Sequence, residues 1–292
     1  MEHDKYINAD GTPVLTMTNS SRSTMEDCSY KYFLEYVRKL SPRGEAVYFT
    51  WGKLFHRLLE DFEQGKDLDA AIEVIRLEYE AGHAEWKNTK VEIMEEYLTV
   101  IKYAVWGYII RWKDEDCHWE NVGIEKKFSF RLPNGVYFEG KMDKIARDTR
   151  TGKLALWEHK TPAQTGDAYY EQKWLDSQPK SYLYGVRHVL GYDTTTVWYD
   201  ILKKTQIREK KSETHQQFVQ RKCEEYLHNR AKYCERVPFT FTEKEIDNYV
   251  NELVNASEEL KWRMENARWT KHHPGNRIGG CQFYAVCMQG EH

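Results

Sequence analysis

Asp143, Glu158 and Lys160 are the residues here whose types and spacing could do chemistry. Asp143 lies in Glu139-Gly140-Lys141-Met142-Asp143-Lys144-Ile145, which a Thr151-Gly152 turn connects to Leu154-Ala155-Leu156-Trp157-Glu158-His159-Lys160-Thr161. Strand side chains alternate faces, so Leu154, Leu156, Glu158 and Lys160 share one, and two charges emerge side by side at the end of an apolar row. Charges facing a core are costly unless paired or metal-bound, so the pattern points to a site. Two carboxylates from adjacent strands suit a hard divalent cation, which takes oxygen ligands and keeps several waters. A lysine beside it can hold an attacking water or offset charge building on a phosphate. The same spacing also suits an exposed hairpin with solvated ion pairs, and the motif alone leaves both readings open.

The elements that must position these residues follow from periodicity. Ser20 to Ser23 offer an N-cap, and Met25, Cys28, Tyr32, Phe33, Tyr36, Val37 and Leu40 recur at helical spacing, which predicts one helix with Cys28 on its buried face. Ser41-Pro42-Arg43-Gly44 ends it, and a second helix from about residue 50 carries Leu54, Phe55, Leu58, Leu59 and Phe62, with His56 among them. A lone helical histidine is more often hydrogen-bonded or solvated than a ligand, so His56 needs support from elsewhere. Two further helices are predicted over about 67–86 and 91–113.

The period then changes to two. Val122 and Ile124, Phe128 to Leu132, an Asn134-Gly135 turn, and Val136 and Phe138 running into Asp143 predict, with 154–161, a three-stranded antiparallel meander. A polar loop after Thr161-Pro162 leads to a helix over about 177–190. Gln178 and Tyr182, four residues apart, project from one side of it. A strand over 195–202 joins the sheet in parallel by a crossover. Beyond it, Lys203, Lys204, Arg208, Lys210 and Lys211 form a basic segment able to track phosphates, although such runs are usually solvated loops. A helix through Phe218 to Ala231, a short strand Phe239-Thr240-Phe241 and a long helix from Ile246 to Met264 complete the body, and the tail from Thr270 is read as irregular.

The chain has 292 residues, 40% hydrophobic and 30% charged, with mean hydropathy −0.80, which describes a globular protein with no span long and apolar enough for a membrane. Residues 1–14 carry Glu2, Asp4 and Asp10 where a signal peptide needs an apolar run, so a cytoplasmic location is expected. A net charge of −3 does not advertise a nucleic-acid binder, and such a partner must meet a local basic groove. Six cysteines without a secretory signal read as thiols or ligands rather than disulfides.

Several stretches, in order, resemble one family. Cys28-Ser29-Tyr30-Lys31-Tyr32-Phe33, Gly52-x3-His56-x3-Glu60, Gly140-x2-Asp143, Glu158-x-Lys160 and Gln178-x3-Tyr182 resemble the RecB-like branch of the PD-(D/E)xK nucleases, which includes CRISPR-associated exonucleases and phage recombination nucleases. The resemblance covers nearly the whole chain. It implies an α/β fold with a restriction-endonuclease-like core, a mixed sheet flanked by helices. On this reading residues 1–118 form a helical N-terminal region, 119–205 the nuclease core, and 206–292 C-terminal helices and a cysteine-bearing tail that closes on the first helix. It also implies a role for each matched residue: His56, Asp143, Glu158 and the backbone carbonyl of His159 as ligands of Mg²⁺ or Mn²⁺, Lys160 as the catalytic lysine, and Gln178 and Tyr182 as groups that position the phosphodiester. The implied activity is DNA hydrolysis by an exonuclease or end-processing enzyme of recombination or repair, acting on single strands or duplex ends, with a recombination protein as a partner. The alternative is a non-catalytic nucleic-acid-binding subunit that keeps the fold; intact Asp143, Glu158 and Lys160 argue against it.

Many members of this branch also clamp a 4Fe-4S cluster with one N-terminal cysteine and a C-terminal Cys-x2-Cys-x5-Cys. Cys28, Cys281 and Cys287 match three of those positions, but the fourth falls on Ile278, which has no donor atom. Either another group such as His272 or His273 completes the site, or the three thiols hold the tail to the first helix by packing. The second is the expectation.

Overall fold

In the computed structural model, which describes residues 14–40, 47–83, 86, 90–272 and 281–289, two sheets meet at one corner and helices cover them. Strand β1 (Thr16–Thr18) pairs in parallel with β4 (Tyr137–Lys141), and β4 pairs antiparallel with β3 (Lys127–Arg131). The second sheet has the order β2 (Trp119–Ile124), β5 (Lys144–Asp148), β6 (Leu154–Lys160), β7 (Thr196–Leu202), β8 (Cys234–Thr240). The single meander expected from the sequence is therefore divided. The alternation from Val136 to Asp148 continues through Met142-Asp143, where the chain leaves one sheet and enters the other.

That corner is built by two crossings that lie against each other. β2 passes through Glu125 and Lys126 into β3, while β4 passes through Met142 and Asp143 into β5. The Glu125 N–H donates to the Asp143 carbonyl at 2.8 Å, and the Met142 N–H to the Lys126 carbonyl at 3.1 Å. Asp143 thus stands at the start of β5, held on both sides.

β6 is central, antiparallel to β5 and parallel to β7, with Glu158 opposite Tyr199 and His159 opposite Asp200. A strand paired on both edges and covered on both faces must be apolar on both, and all five residues from Ala155 to His159 are buried. The Leu156 face packs on Ile145, Val197, Tyr199 and Ile201 and on Leu183 and Val186 of helix α7 (Ser177–His188). The Trp157 face looks to the helical layer, where α3 (Val47–Glu63), α4 (Leu68–Glu80), α5 (Val91–Asp116) and α8 (His215–His228) share a core of Leu54, Phe55, Leu58, Ile75, Leu98, Ile101, Tyr108 and Tyr226. Gly107 lets α5 and α8 touch, since a Cβ there would lie 2.4 Å from the Tyr226 carbonyl oxygen.

Three other expectations change. The first predicted helix is broken: α1 (Asn19–Asp27) ends at Cys28, which is extended, and α2 (Ser29–Tyr32) widens into a π turn over Phe33–Val37. Cys28 is half-exposed at the break rather than buried on a helix face. The polar loop after Pro162 contains α6 (Asp167–Leu175), which has no fully buried residue and rests on the sheet core through the partly buried Tyr169 and Tyr170 and the exposed Trp174. The tail carries a short helix, α11 (Tyr284–Gln289), and α9 (Arg230–Tyr233) and α10 (Glu243–Asn266) precede it. Ser41 to Gly44, His273 and Ile278 lie outside the described residues.

Candidate active site

The side chains picked out by the sequence arrive from three layers at the C-terminal end of β6. α3 brings His56 from the Trp157 face, and its Nδ1 lies 3.5 Å from Asp143 Oδ1. The His56 ring also meets His159 edge to face at 6.1 Å. Glu158 and Lys160 lie on the opposite face, where the start of α7 covers them. Asp176 caps that helix by accepting from the Gln178 N–H at 3.0 Å, which fixes Gln178 over the end of the strand.

Gln178 bridges the two charges. Its Nε2 donates to Glu158 Oε1 at 2.7 Å, and its Oε1 accepts from Lys160 Nζ at 3.0 Å, while Lys160 also donates to Glu158 Oε1 at 2.5 Å. Tyr182, one turn along, rests edge-on against Phe128 with centroids 5.5 Å apart. Phe128 is wedged between two glycines: a Cβ at either Gly140 or Gly185 would come within 2.3 Å of its ring. The glycine of Gly140-x2-Asp143 therefore has a packing reason, and through Phe128 it sets where Tyr182 stands.

Burial and mutual charge pull the two carboxylates apart. Burial works to raise Asp143, but His56, His159 and Lys160 outweigh it and hold this carboxyl well below its ordinary value. For Glu158 burial is the largest influence; Lys160 opposes it, Asp143 adds to it, and the carboxyl rises to about 7. Burial would lower the Lys160 ammonium, yet Glu158 and Asp143 raise it, so it stays charged. Burial likewise opposes charge on His56, and Asp143 more than restores it. One firmly ionised carboxylate, one that shares a proton near neutrality and one fixed ammonium stand together, a division suited to charge stabilisation.

The donor set fits a divalent cation. His56, Asp143 and a residue the sequence reading passed over, Glu125, offer ligand atoms within 4.8 Å of one another, the only such group among the described residues. Glu158 is not in it; its Oε1 accepts from Lys160 and Gln178. Glu125 sits in the charged run Glu125-Lys126-Lys127, which reads as a solvated turn; the available signal was its place directly after the period-two segment Val122 to Ile124.

Beyond Gln178 and Tyr182 a cleft of about 910 Å³ opens, lined also by Ser20, Ser23, Lys127 and Lys141. Asp143, Glu158 and Lys160 do not line it; they stand at its inner end, next to Gln178 and Lys141. The basic segment begins near the same end of the sheet, for the Lys204 N–H donates to the Pro162 carbonyl at 2.9 Å. Lys203 is already engaged with Glu235 at 2.5 Å.

Behind the site a buried network fixes the strands. Asp200, with no exposed surface, lies 3.3 Å from His159 Nδ1 and accepts from Arg236 Nε at 3.0 Å and from the Tyr108 hydroxyl. Arg236 is stacked between Trp112 and Trp157 and also reaches Asp116.

At the chain's ends, Cys28 Sγ lies 3.6 Å from the Thr270 carbonyl and accepts from the His272 N–H at 3.5 Å, and Lys271 Nζ donates to the Cys287 carbonyl at 2.9 Å. Burial raises the Cys287 thiol, and Cys281 and Cys28 add to the rise, so the three sulfurs share one neighbourhood. They supply three thiolates, one short of a four-iron cluster's usual set, and the fit is incomplete.

A sequence model described as the PD-(D/E)XK nuclease superfamily matches residues 16–288, and the chain belongs to that superfamily, with its mixed sheets and flanking helices and its use of divalent metals to cut nucleic acid. No curated protein matches it. Among solved structures it is similar to a protein of Eubacterium rectale provisionally described as an exonuclease, at 14% identity and a TM-score of 0.48, over 94% of this chain and 92% of that one. Among the described residues no helix is long and apolar enough to cross a membrane.

Proposed function

We propose that this nuclease is a Mg²⁺- or Mn²⁺-dependent deoxyribonuclease that removes or processes DNA ends in recombination or repair. The observation that carries the reading is the meeting of His56, Asp143, Glu158 and Lys160, from α3, the sheet corner and β6, under the Gln178 amide. His56, Asp143, Glu158 and the His159 carbonyl are the proposed metal-holding groups. A divalent cation bound there polarises the scissile phosphate and acidifies a water. The remaining work belongs to side chains. Lys160 stays charged and offsets negative charge as it builds on the phosphate. Gln178 keeps Lys160 and Glu158 in register, and with Tyr182 it faces the strand that occupies the cleft. The cleft's lining brings the hydroxyls of Ser20, Ser23 and Ser129 and the ammonium groups of Lys127 and Lys141 to a backbone, beside the carboxylates of Glu26, Glu139 and Asp176, and the half-buried Tyr182 offers a ring to an unstacked base.

The test is cleavage of end-labelled DNA, single- and double-stranded, linear and circular, with Mg²⁺, Mn²⁺ or chelator. Linear substrates should be shortened from their ends only when metal is present, and circles should survive. Cutting of circles would replace the exonuclease reading with an endonuclease. No cleavage of any substrate would remove the catalytic reading.

A further inference from the structure

We infer that Glu125 is a further metal ligand of this site, held in reserve by Lys141 until the cation arrives. The inference rests on the metal-dependent reading above and adds a residue to it. Its first support is position. Glu125, His56 and Asp143 bring one nitrogen and two carboxylate oxygens within 4.8 Å of each other, a group that does not include Glu158, whose Oε1 accepts from Lys160 and Gln178. The group that has already converged thus contains Glu125, and two carboxylates plus an imidazole are donors that hard and borderline divalent ions accept.

The backbone supplies the second support. Glu125 has φ +50°, in the left-handed region that costs a side-chain-bearing residue energy and is usually left to glycine or asparagine. Glycine there would relieve that cost. The conformation turns the chain from β2 into β3, and it places the Glu125 N–H on the Asp143 carbonyl, so the two acidic residues are fixed side by side by a main-chain bond. Local strain of this kind, overruled by surrounding structure, gathers at functional sites.

The third support is the partner. The Glu125 carboxylate is only 14% exposed, and its counter-ion is Lys141, whose side chain is 49% exposed at the cleft edge. Lys141 neutralises the cluster while no cation is there. It is free to swing outward when a cation takes its place, toward the cleft where a phosphate backbone would meet it.

Mn²⁺ binding by calorimetry, with metal-induced thermal stabilisation as a second readout, tests this without any turnover. Glu125→Gln should weaken Mn²⁺ binding by about tenfold or more, in line with the loss of a group that orients or donates to a metal. Glu125→Asp should weaken it as well: charge is kept, the left-handed backbone is tolerated by aspartate, but the oxygens retract by one methylene. Lys141→Met should leave Mn²⁺ binding intact or tighter. Asp143→Asn serves as the reference, and it should abolish binding. If Asp143→Asn abolishes binding while Glu125→Gln and Glu125→Asp bind Mn²⁺ as the parent does, Glu125 is a structural partner of Lys141 and the inference is overturned. If Asp143→Asn itself binds normally, the metal site has been misplaced and both readings fall.

Discussion

The His159 N–H donates to Asp143 Oδ2 at 2.8 Å, while His56 approaches the other oxygen of the same carboxylate at 3.5 Å. One side chain therefore joins the sheet corner, β6 and the helical layer. On the proposed reading Asp143 is a structural clasp as well as a ligand, and the two roles separate by substitution.

Asp143→Asn keeps an oxygen for the His159 N–H, and Asp143→Ala does not. Both should lose cleavage and Mn²⁺ binding. Only Ala should also lower stability appreciably, by about 1–3 kcal/mol, the usual cost of an unsatisfied buried donor. Urea melts of the two purified variants check this; equal stability would show that the N–H finds another partner, and full activity in either would remove Asp143 from the site.

Lys160 should matter to turnover more than to metal capture. Lys160→Ala is expected to lower kcat by at least about a hundredfold, since preorganised charge at a reacting phosphate is worth several kcal/mol. Its Mn²⁺ affinity should change far less. Gln178→Leu, which removes both amide contacts at once, should lower kcat in the same direction by releasing Lys160 and Glu158 from register. Single-turnover cleavage alongside calorimetry separates these effects; a Lys160→Ala protein that cuts normally would contradict the assigned role.

How much of this was legible in the chain differs from residue to residue. Glu158 and Lys160 could be found because a strand's period of two is exact, so two charges following Leu154 and Leu156 on one face stand out. The parallel β6–β7 pairing was also readable, from a helix lying between two strands. The split at Met142-Asp143 was not, because nothing local marks it; pairing decides it, with β4 satisfied by β1 and β3 and β5 by β2 and β6. α6 was hidden since none of its residues is fully buried and its contacts with the core run through aromatic side chains of a short polar segment. His56, Gln178 and Tyr182 had only the family resemblance to recommend them, as their spacing equally describes solvated helix faces, and Glu125 needed the fold to bring it beside Asp143.

Acidity should govern the metal through Glu158. Its carboxyl rises from an ordinary 4.5 to about 7, so the folded protein keeps a proton that the unfolded chain has lost. That contribution to stability is complete below 4.5 and is gone above about 7. Asp143 behaves oppositely, its contribution being present above its ordinary value of 3.8 and lost as the pH falls below it. A cation that uses Glu158 must displace its proton, so Mn²⁺ affinity should weaken as pH drops below about 7. Mn²⁺-induced thermal shifts at about pH 8 should therefore exceed those at about pH 6, and Glu158→Gln should reduce the difference without removing it, since His56, raised by Asp143, must also lose its proton to ligate. A Glu158→Gln protein with the parent's pH dependence would mean that Glu158 does not ligate.

The cysteine end offers two states with different observables. A shared cluster would cross-link Cys28 near the start of the chain to Cys281 and Cys287 near its end, and its loss would destabilise the fold, because metal binding is coupled to folding. Thiols that only pack would not behave so. Other bonds already hold these ends together: the Ser29 hydroxyl accepts from the Thr270 N–H at 2.8 Å, the Tyr30 N–H donates to the Thr270 carbonyl at 3.1 Å, and Trp269 stacks on Tyr32 and Phe33. With the tail anchored independently and only three thiolates for four iron positions, anaerobically purified protein is expected to be colourless or to carry substoichiometric iron. Cys281→Ser should then cost no more than about 1 kcal/mol, as for substitutions that break no named interaction. A stoichiometric count of four irons and four sulfides, with a large loss of stability in Cys281→Ser, would show that a fourth ligand completes the site and that a cluster closes the two ends of the chain.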